Sequence, residues 1–488
     1  MNWIHFLEEN AKTYAKKEAI IEQESNRSYT YEQLNAIVDK WALYLQSQNV
    51  SDGDRVAFLA TNCLEHVLIL LACAKIRALF VPLNFRLSQG ELQDTLDRID
   101  CKIFISREKT NLIVHTKKVL LSDIDLELKG LLIKKYALDE DPILMLFTSG
   151  STGRPKGVLF HGRMLKTNQI ETCRNWQLDH NDSTLVETPF FHTGGYNVLL
   201  LPLLFVGGTC YIAPKFDISN VIETITQKRL SVYFGVPTMF QMLQESAAFK
   251  TADFSSIRFF LSGGAAAPIE MIKKYQEKNL GFKQGFGLTE VGPNCFELSE
   301  EFSVSKLGSI GQAMKHSKVI VMKDEKIVTE PHVIGELLIK GDHLCLGYYR
   351  DSRKWHESLY LGYFKTGDLV KFDEDGFFYV VGRIKDMYIS GGENVYPAEV
   401  EKQLLSHPSI LDAVVVSKAS DKWGEVGHAY LKSKRDLSID ELRKFLGDKL
   451  SRYKHPHTIE KLSEFPLLAN GKIDRVSLKE RAKGREFC

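Results

Sequence analysis

Ten consecutive residues, Thr148-Ser149-Gly150-Ser151-Thr152-Gly153-Arg154-Pro155-Lys156-Gly157, combine hydroxyls, glycines and two cations. That mixture suits a polyphosphate. Small residues let backbone N–H groups approach oxygens, hydroxyls donate further hydrogen bonds, and Arg154 and Lys156 supply positive charge. The spacing is not that of a Walker A loop, which needs a Gly five residues ahead of a Gly-Lys-Ser/Thr unit. By composition alone, the stretch suits a flexible surface loop equally well.

The elements around it say more. An apolar run, Ile143-Leu144-Met145-Leu146-Phe147, precedes the loop and reads as a buried strand. Before it, stretches 18–21, 55–60, 79–83 and 101–105 read as strands. Helices lie between them: one opened by Thr30 with Gln33 in the capping-box position, one over 63–76, and one capped by Ser88 with Glu91. After the loop, strands at 208–212, 232–237 and 257–261 continue the alternation. The last runs into Ser262-Gly263-Gly264-Ala265-Ala266-Ala267-Pro268, where Pro268 suits the first turn of a helix. Strands separated by helices imply βαβ units and a largely parallel sheet. From about residue 308 the texture changes to short strands and turns, and a final unit of about 100 residues follows Lys385. The expected fold is α/β. A large N-terminal domain, 1–384, holds parallel-rich α/β sheets and a β-rich subdomain; a small mobile α+β domain, 385–488, follows.

Bulk properties exclude several classes. At ~150 residues per domain, 488 residues suggest about three domain-sized units. A net charge of +1, from 63 basic and 62 acidic residues, argues against a broad basic surface for nucleic acid. Eight cysteines without a C-x-x-C pair suggest neither a zinc site nor a disulfide framework, and a reducing compartment. The N-terminus lacks a signal-peptide pattern and reads as an amphipathic helix. Apolar stretches 66–83 and 197–213 are interrupted by Lys75 and Arg77, and by Pro202, Gly207 and Gly208, so they read as core rather than membrane spans. The ending Arg485-Glu486-Phe487-Cys488 is neither a peroxisomal address nor a prenylation box. The expected location is the cytoplasm.

Five segments in order carry a family likeness: 148–157; Phe191-His192; Gly285-Phe286-Gly287-Leu288-Thr289-Glu290; Thr366-Gly367-Asp368 with Gly382-Arg383; and Asn470-Gly471-Lys472. Together they resemble the adenylate-forming superfamily of acyl-CoA synthetases, peptide-synthetase adenylation domains and beetle luciferases. The resemblance covers essentially the whole chain. Gly391-Gly392-Glu393-Asn394-Val395-Tyr396-Pro397-Ala398-Glu399-Val400-Glu401 looks close to the acyl-CoA ligase branch.

The resemblance implies roles for single residues. Thr148, Ser149, Gly150, Ser151, Thr152, Gly153 and Lys156 hold the β- and γ-phosphates of ATP. Thr289 bonds the α-phosphate, and Glu290 holds Mg²⁺, a hard cation that prefers oxygen ligands. Gly263, Gly264 and Ala265 form the adenine wall. Between Gly285 and Gly287, Phe286 replaces the Tyr common in the family, which keeps stacking and loses a hydroxyl. Asp368 takes the ribose hydroxyls, with Arg383 on ribose or phosphate. Lys472 bridges the substrate carboxylate and the α-phosphate, Lys385 is a hinge, and Ser390, Gly391 and Gly392 border the pantetheine of CoA. His192 flanks the carboxylate and gates the thiol path. Gly194, Gly195, Tyr196, Gly235, Val236 and the segment 291–294 join it around the acyl group. Plainer readings exist: Glu290 as a helix cap, Asp368 as a turn residue, Gly391-Gly392 as a tight turn, Lys472 as a solvated lysine and His192 as a core histidine.

The implied activity is an ATP- and Mg²⁺-dependent acyl-CoA synthetase that makes an acyl-AMP and passes the acyl group to CoA. The pocket lining that the resemblance implies is mostly apolar and small and lacks an Asp for an α-amine near Phe234-Gly235, which favours a fatty or other apolar acid over an amino acid, a fatty acid foremost. An aryl or o-succinylbenzoate-type acid, or a carrier protein as acceptor, are the alternatives. The implied partners are a carboxylic acid, ATP and CoA, with no nucleic acid; a homodimer and peripheral membrane contact remain open.

Overall fold

The computed structural model describes residues 2–148, 155–265, 267–468 and 472–484. The chain forms two compact units, Met1–Val319 with Ile339–Lys365, and Ile320–Leu338 with Thr366–Cys488.

The first unit is α/β. Its largest sheet has seven strands in the order Gly347–Tyr348, Lys156–His161, Pro142–Thr148, Leu79–Pro82, Arg55–Leu59, Ile103–Ser106 and Lys117–Leu120. The strands from Pro142–Thr148 onward are parallel, and Lys156–His161 and Gly347–Tyr348 are antiparallel additions at one edge. The helix Leu64–Lys75 is buried along all 12 residues, so the apolar run read from the sequence is a core helix. Lys75 is tolerated there because its Nζ donates to Asn35 Oδ1 and Asp39 Oδ1, both at 2.6 Å. The capping boxes at Thr30 and Ser88 form as expected. Pro268 is the N-cap of the helix Ile269–Gln276 rather than its first helical residue.

A second sheet places Val232–Gly235, Phe259–Ser262 and Phe282–Leu288 in parallel, then Gly292–Leu298 and Gln312–Ala313 antiparallel. Tyr233, Phe240, Phe260, Tyr275 and Phe282 pack beneath it in one buried cluster. A four-stranded sheet of Arg27–Thr30, Glu18–Glu22, Thr209–Ile212 and Ser183–Val186 completes the unit. The segment after His192 is two short helices, Thr193–Asn197 and Leu200–Val206.

In the second unit, Tyr363–Phe372 and Phe378–Arg383 form a hairpin. Beyond it, Ile410–Ser420 and Gly424–Ser433 pair along their length and are joined by Tyr388–Ser390, Glu393–Val395 and Thr458–Lys461. The helices Pro397–Leu405 and Ile439–Leu446 cover a core that includes Val400, Leu404, Val415, Leu431 and Leu442. Among the described residues, no helix is long and apolar enough to cross a membrane.

Candidate active site

Thr148 ends one strand and pairs with Lys156, which begins the next, so the expected phosphate loop joins two antiparallel strands. Ser149, Gly150, Ser151, Thr152, Gly153 and Arg154 lie outside the described residues, as do Asn470 and Gly471. Lys156 Nζ stands 4.7 Å from the centroid of the Tyr348 ring. The Tyr348 hydroxyl donates to Glu290 Oε1 at 3.0 Å. Burial, then the charge of Glu290, push the Tyr348 pKa up, so the phenol keeps its proton at neutral pH. One aromatic side chain thus ties the cation of the loop to the carboxylate of a motif more than a hundred residues later.

Thr289 and Glu290 occupy the turn between Phe282–Leu288 and Gly292–Leu298. Glu290 is therefore a β-turn residue, not a helix cap. The turn is closed by backbone that tolerates no side chain at Gly287, where an added Cβ would fall 2.3 Å from Gly292 O. Cys345 N donates to Glu290 O at 2.9 Å, which fixes the residue from a second direction. A carboxylate anchored this way offers the hard oxygen ligands that Mg²⁺ prefers.

Gly235 ends one parallel strand, and Gly263 and Gly264 follow its neighbour, whose Ser262 pairs with both Gly235 and Gln284. Carboxyl ends of parallel strands are where open α/β sheets place ligands. Gly264 has φ +81°, and Ala265 is exposed. Gly285 and Phe286 lie in the next strand, with the Phe286 ring edge-on to Phe296 at 5.6 Å.

His192 is half-buried, in extended backbone before the helix Thr193–Asn197, with its ring against Phe191. A Cβ on Gly195 would lie 2.7 Å from Pro189 O, which requires glycine there. Tyr196 is fully buried and stacks on Phe190 at 4.8 Å. Val236 is half-buried ahead of the helix Pro237–Glu245. Of the segment 291–294, Asn294 is buried, its amide donating to Thr172 Oγ1 at 2.8 Å. Gly194, Gly195 and Phe234 border a cavity of about 10 Å³.

In the second unit, Asp368 lies opposite Arg383 in the hairpin register, and Arg383 Nε sits 2.8 Å from Asp368 Oδ1. Gly367 has φ +72° and its N–H donates to Glu336 Oε1, while Thr366 Oγ1 accepts from Asp368 N and donates to Leu337 O. The Thr-Gly-Asp sequence is thus not a turn but part of the strand Tyr363–Phe372, held from three sides so that it aims one carboxylate. Asp368 is 3% exposed, and its Oδ2 has no hydrogen-bond partner among the described residues. Burial raises the Asp368 pKa, and the charges of Arg383 and Lys472 pull it back. Lys472 itself is exposed, in a loop where Leu467 bridges Ile473.

Gly391 and Gly392 are the two-residue turn between Tyr388–Ser390 and Glu393–Val395, with φ +60° and +90°. Both angles favour glycine. The Trp423 ring lies over Gly391, where an added Cβ would be 2.8 Å from Trp423 Cε3, and Ser390 is buried beside them. Lys385 is exposed in the turn after Arg383, whose carbonyl accepts from Asp386 N and Met387 N. Tyr348 and Trp423 are the two residues that sequence motifs did not disclose. Neither neighbours a recognisable motif; only the strand pairing of Tyr348 with Val158 and the fold-back of Trp423 onto Gly391 reveal them.

The chain belongs to the AMP-binding enzyme family, whose model matches residues 7–349, and the model of the AMP-binding enzyme C-terminal domain matches 399–472. Within that family it falls among the acyl-CoA ligases, which are AMP-forming acid–thiol ligases. It is 34% identical over 464 residues to a feruloyl-CoA synthase of Amycolatopsis, covering 93% of this chain and 94% of that protein. It is 29% identical over 492 residues to a long-chain fatty-acid–CoA ligase of Mycobacterium tuberculosis, covering 97% of each. The solved o-succinylbenzoate coenzyme A synthetase of Bacillus subtilis, in complex with ATP and magnesium ion, superposes with a TM-score of 0.89 at 30% identity, covering 97% of this chain and 99% of that one.

Proposed function

We propose that this acyl-CoA synthetase activates a compact aryl carboxylic acid as its acyl-AMP and transfers the acyl group to CoA, in the cytoplasm. The observation that carries the choice of acid is the likeness, over nearly the whole chain, to a feruloyl-CoA synthase and to an o-succinylbenzoate coenzyme A synthetase. A fatty acid is the second reading, favoured by the apolar lining and the long-chain relative.

Each unit carries part of the chemistry. In the first half-reaction the acid's carboxylate oxygen attacks the α-phosphorus of ATP and pyrophosphate leaves. Lys156, with Thr148 and residues 149–153, neutralises the β- and γ-phosphates, and Thr289 donates to the α-phosphate. Mg²⁺, when bound, shields phosphate oxygens, and Glu290 is the residue to hold it. Phe286 and the backbone of Gly263, Gly264, Ala265, Gly285 and Gly287 flank adenine. Asp368 Oδ2, buried and without a partner among the described residues, accepts from a ribose hydroxyl, and Arg383 favours the charged carboxylate and aims it. Lys472 stabilises the negative charge that builds between carboxylate and α-phosphate. In the second half-reaction the CoA thiol gives up its proton, its sulfur attacks the acyl carbon, and AMP leaves. His192 flanks that path, Lys385 acts as the hinge between half-reactions, and Ser390, Gly391 and Gly392 line the pantetheine.

The test is a carboxylic-acid panel assayed for AMP release with and without CoA. Aryl acids releasing AMP with thioester formed only in the presence of CoA support the proposal. Formation of ADP overturns the adenylate route, and a preference for long alkanoates overturns the aryl reading.

A further inference from the structure

The turn that carries Thr289 and Glu290 presents two consecutive carbonyls, and one later segment takes both. Cys345 N donates to Glu290 O at 2.9 Å, and His343 Nδ1 donates to Val291 O at 2.6 Å. The same segment runs on into the strand Gly347–Tyr348, whose Tyr348 hydroxyl reaches Glu290 Oε1. Within the turn, Val291 N donates to Leu288 O at 3.3 Å, long for an N–H···O bond. Cys295 Sγ adds a weak donation to Val291 O at 3.2 Å. The short bond at Val291 O is the one from His343.

The imidazole is itself fixed in place. His343 is 1% exposed, and burial lowers its pKa, which keeps the ring neutral at neutral pH. A carbonyl can only accept, so Nδ1 carries the ring proton and Nε2 is left as an acceptor. Ser317 Oγ, 3.1 Å from Nε2, is the donor that meets it. The His316 ring stands edge-on at 4.5 Å. Gly341 makes the room: an added Cβ there would lie 2.7 Å from His343 Nε2 and 2.5 Å from His316 O. One ring position and one tautomer result.

We infer that His343 is a positioning residue for adenylate formation, resting on the roles given to Thr289 and Glu290 above. It acts through Val291 O, holding the turn where Thr289 meets the α-phosphate and Glu290 meets the metal. Ser317 keeps the proton on the nitrogen that makes that bond. Displacing a reacting group by about 1 Å can cost about a hundredfold in rate, so backbone fixed next to both groups bears on the first half-reaction. The second half-reaction starts from an acyl-AMP, which has no β- and γ-phosphates for a metal to bridge, and depends on the turn less. Two substitutions separate the ring's two bonds. Asparagine puts its terminal amide where Nδ1 stands and keeps the donation to Val291 O. Glutamine puts its amide where Nε2 stands, keeping Ser317 and losing Val291 O.

The experiment measures pyrophosphate exchange, thioester formation from supplied acyl-adenylate, Mn²⁺ affinity by electron paramagnetic resonance, and Tm. It compares the wild type with His343→Asn, His343→Gln and His343→Leu. His343→Gln and His343→Leu are expected to lower kcat of exchange and to weaken Mn²⁺ binding by about tenfold or more, with thioester formation down by less than about threefold. His343→Asn is expected to stay within about threefold of the wild type in exchange and Mn²⁺ binding, even where its Tm falls as far as that of His343→Gln. The asparagine and glutamine variants keep the test open if the leucine variant does not fold. Equal exchange rates in those two, or equal loss of both half-reactions in His343→Gln, overturn the proposal. Glu290→Gln tests the reading beneath it: unchanged Mn²⁺ binding there removes the role given to Glu290, and the contrast of asparagine with glutamine in exchange then decides His343 by itself.

Discussion

A carboxylate that is to hold a divalent cation works best when a neighbour fixes its orientation, because outer-shell hydrogen bonds set ligand geometry and affinity. Glu290 has such a neighbour in Tyr348, whose ring also faces Lys156. Tyr348→Phe keeps the ring and removes the hydroxyl. It is expected to weaken metal binding about tenfold, read directly by Mn²⁺ electron paramagnetic resonance, while the KM for ATP at saturating metal changes little. Tyr348→Ala loses both contacts and raises the KM for ATP as well. Equal effects of the two variants on both readouts would refute the bridging role. Lys472 is a separate case, exposed and proposed to act through its charge. Lys472→Ala is expected to slow adenylate formation by about a hundredfold or more, the scale of removing one oxyanion donor. Thioester formation from supplied acyl-adenylate should be largely spared; equal loss of both half-reactions counts against the assignment. The motifs that contain Glu290, Asp368 and Lys472 were legible in the sequence because each is short and of fixed spacing. Tyr348 was not, because its contacts depend on a two-residue strand that pairs with the strand Lys156–His161 far along the chain.

At the scale of elements, turns carry the site. The Gly391-Gly392 turn is held under Trp423, and its positive φ angles are those a non-glycine residue adopts at a cost of roughly 1–2 kcal/mol. Gly391→Ala therefore strains the backbone and displaces Trp423 together. The expected result is a raised KM for CoA with pyrophosphate exchange near the wild-type rate; unchanged CoA kinetics would separate this turn from the thiol step. Lys385 follows a hairpin that pairs Asp368 with Arg383, so a stiff residue there acts next to the side chains proposed to hold the nucleotide without replacing one. Lys385→Pro is expected to keep pyrophosphate exchange and to lose thioester formation, and full overall turnover in that variant would rule out a hinge. The capping boxes at Thr30 and Ser88 were readable because they are local, four-residue patterns. The hairpin connecting Thr148 to Lys156 was not, since antiparallel pairing is decided by the sheet and not by the loop's composition.

At the scale of the molecule, the first unit carries a buried carboxylate that the chemistry does not use. Glu187 is 4% exposed, accepts from Tyr233 OH at 3.0 Å, and burial pushes its pKa up to about 8. The folded state thus holds a proton that the unfolded chain releases near its ordinary carboxylate pKa. The stabilisation is fully present below about pH 4.5 and is lost as pH rises through about 8, with a slope of at most about 1.4 kcal/mol per pH unit. Calorimetric unfolding of the first unit should show its Tm falling across that range. Glu187→Gln, which stays neutral, should flatten the dependence; an equally steep wild type and variant would show that other groups cause it.

The sequence by itself determined the class of chemistry and the order of the elements that serve it. Strand, helix and turn signals are local, and the glycine, acid and lysine motifs are short enough to read in one dimension. It could not determine which distant side chains meet. Tyr348 over Lys156, Trp423 on Gly391 and Phe234 between Gly194 and Gly263 are contacts across strand registers and packed layers. Only the tertiary structure decides them, because a close approach between remote backbones depends on how sheets align and not on the composition of either segment. The loop proposed to bind phosphate was visible by its residue types; the tie between its Lys156 and Glu290 runs through an aromatic side chain that no motif contains.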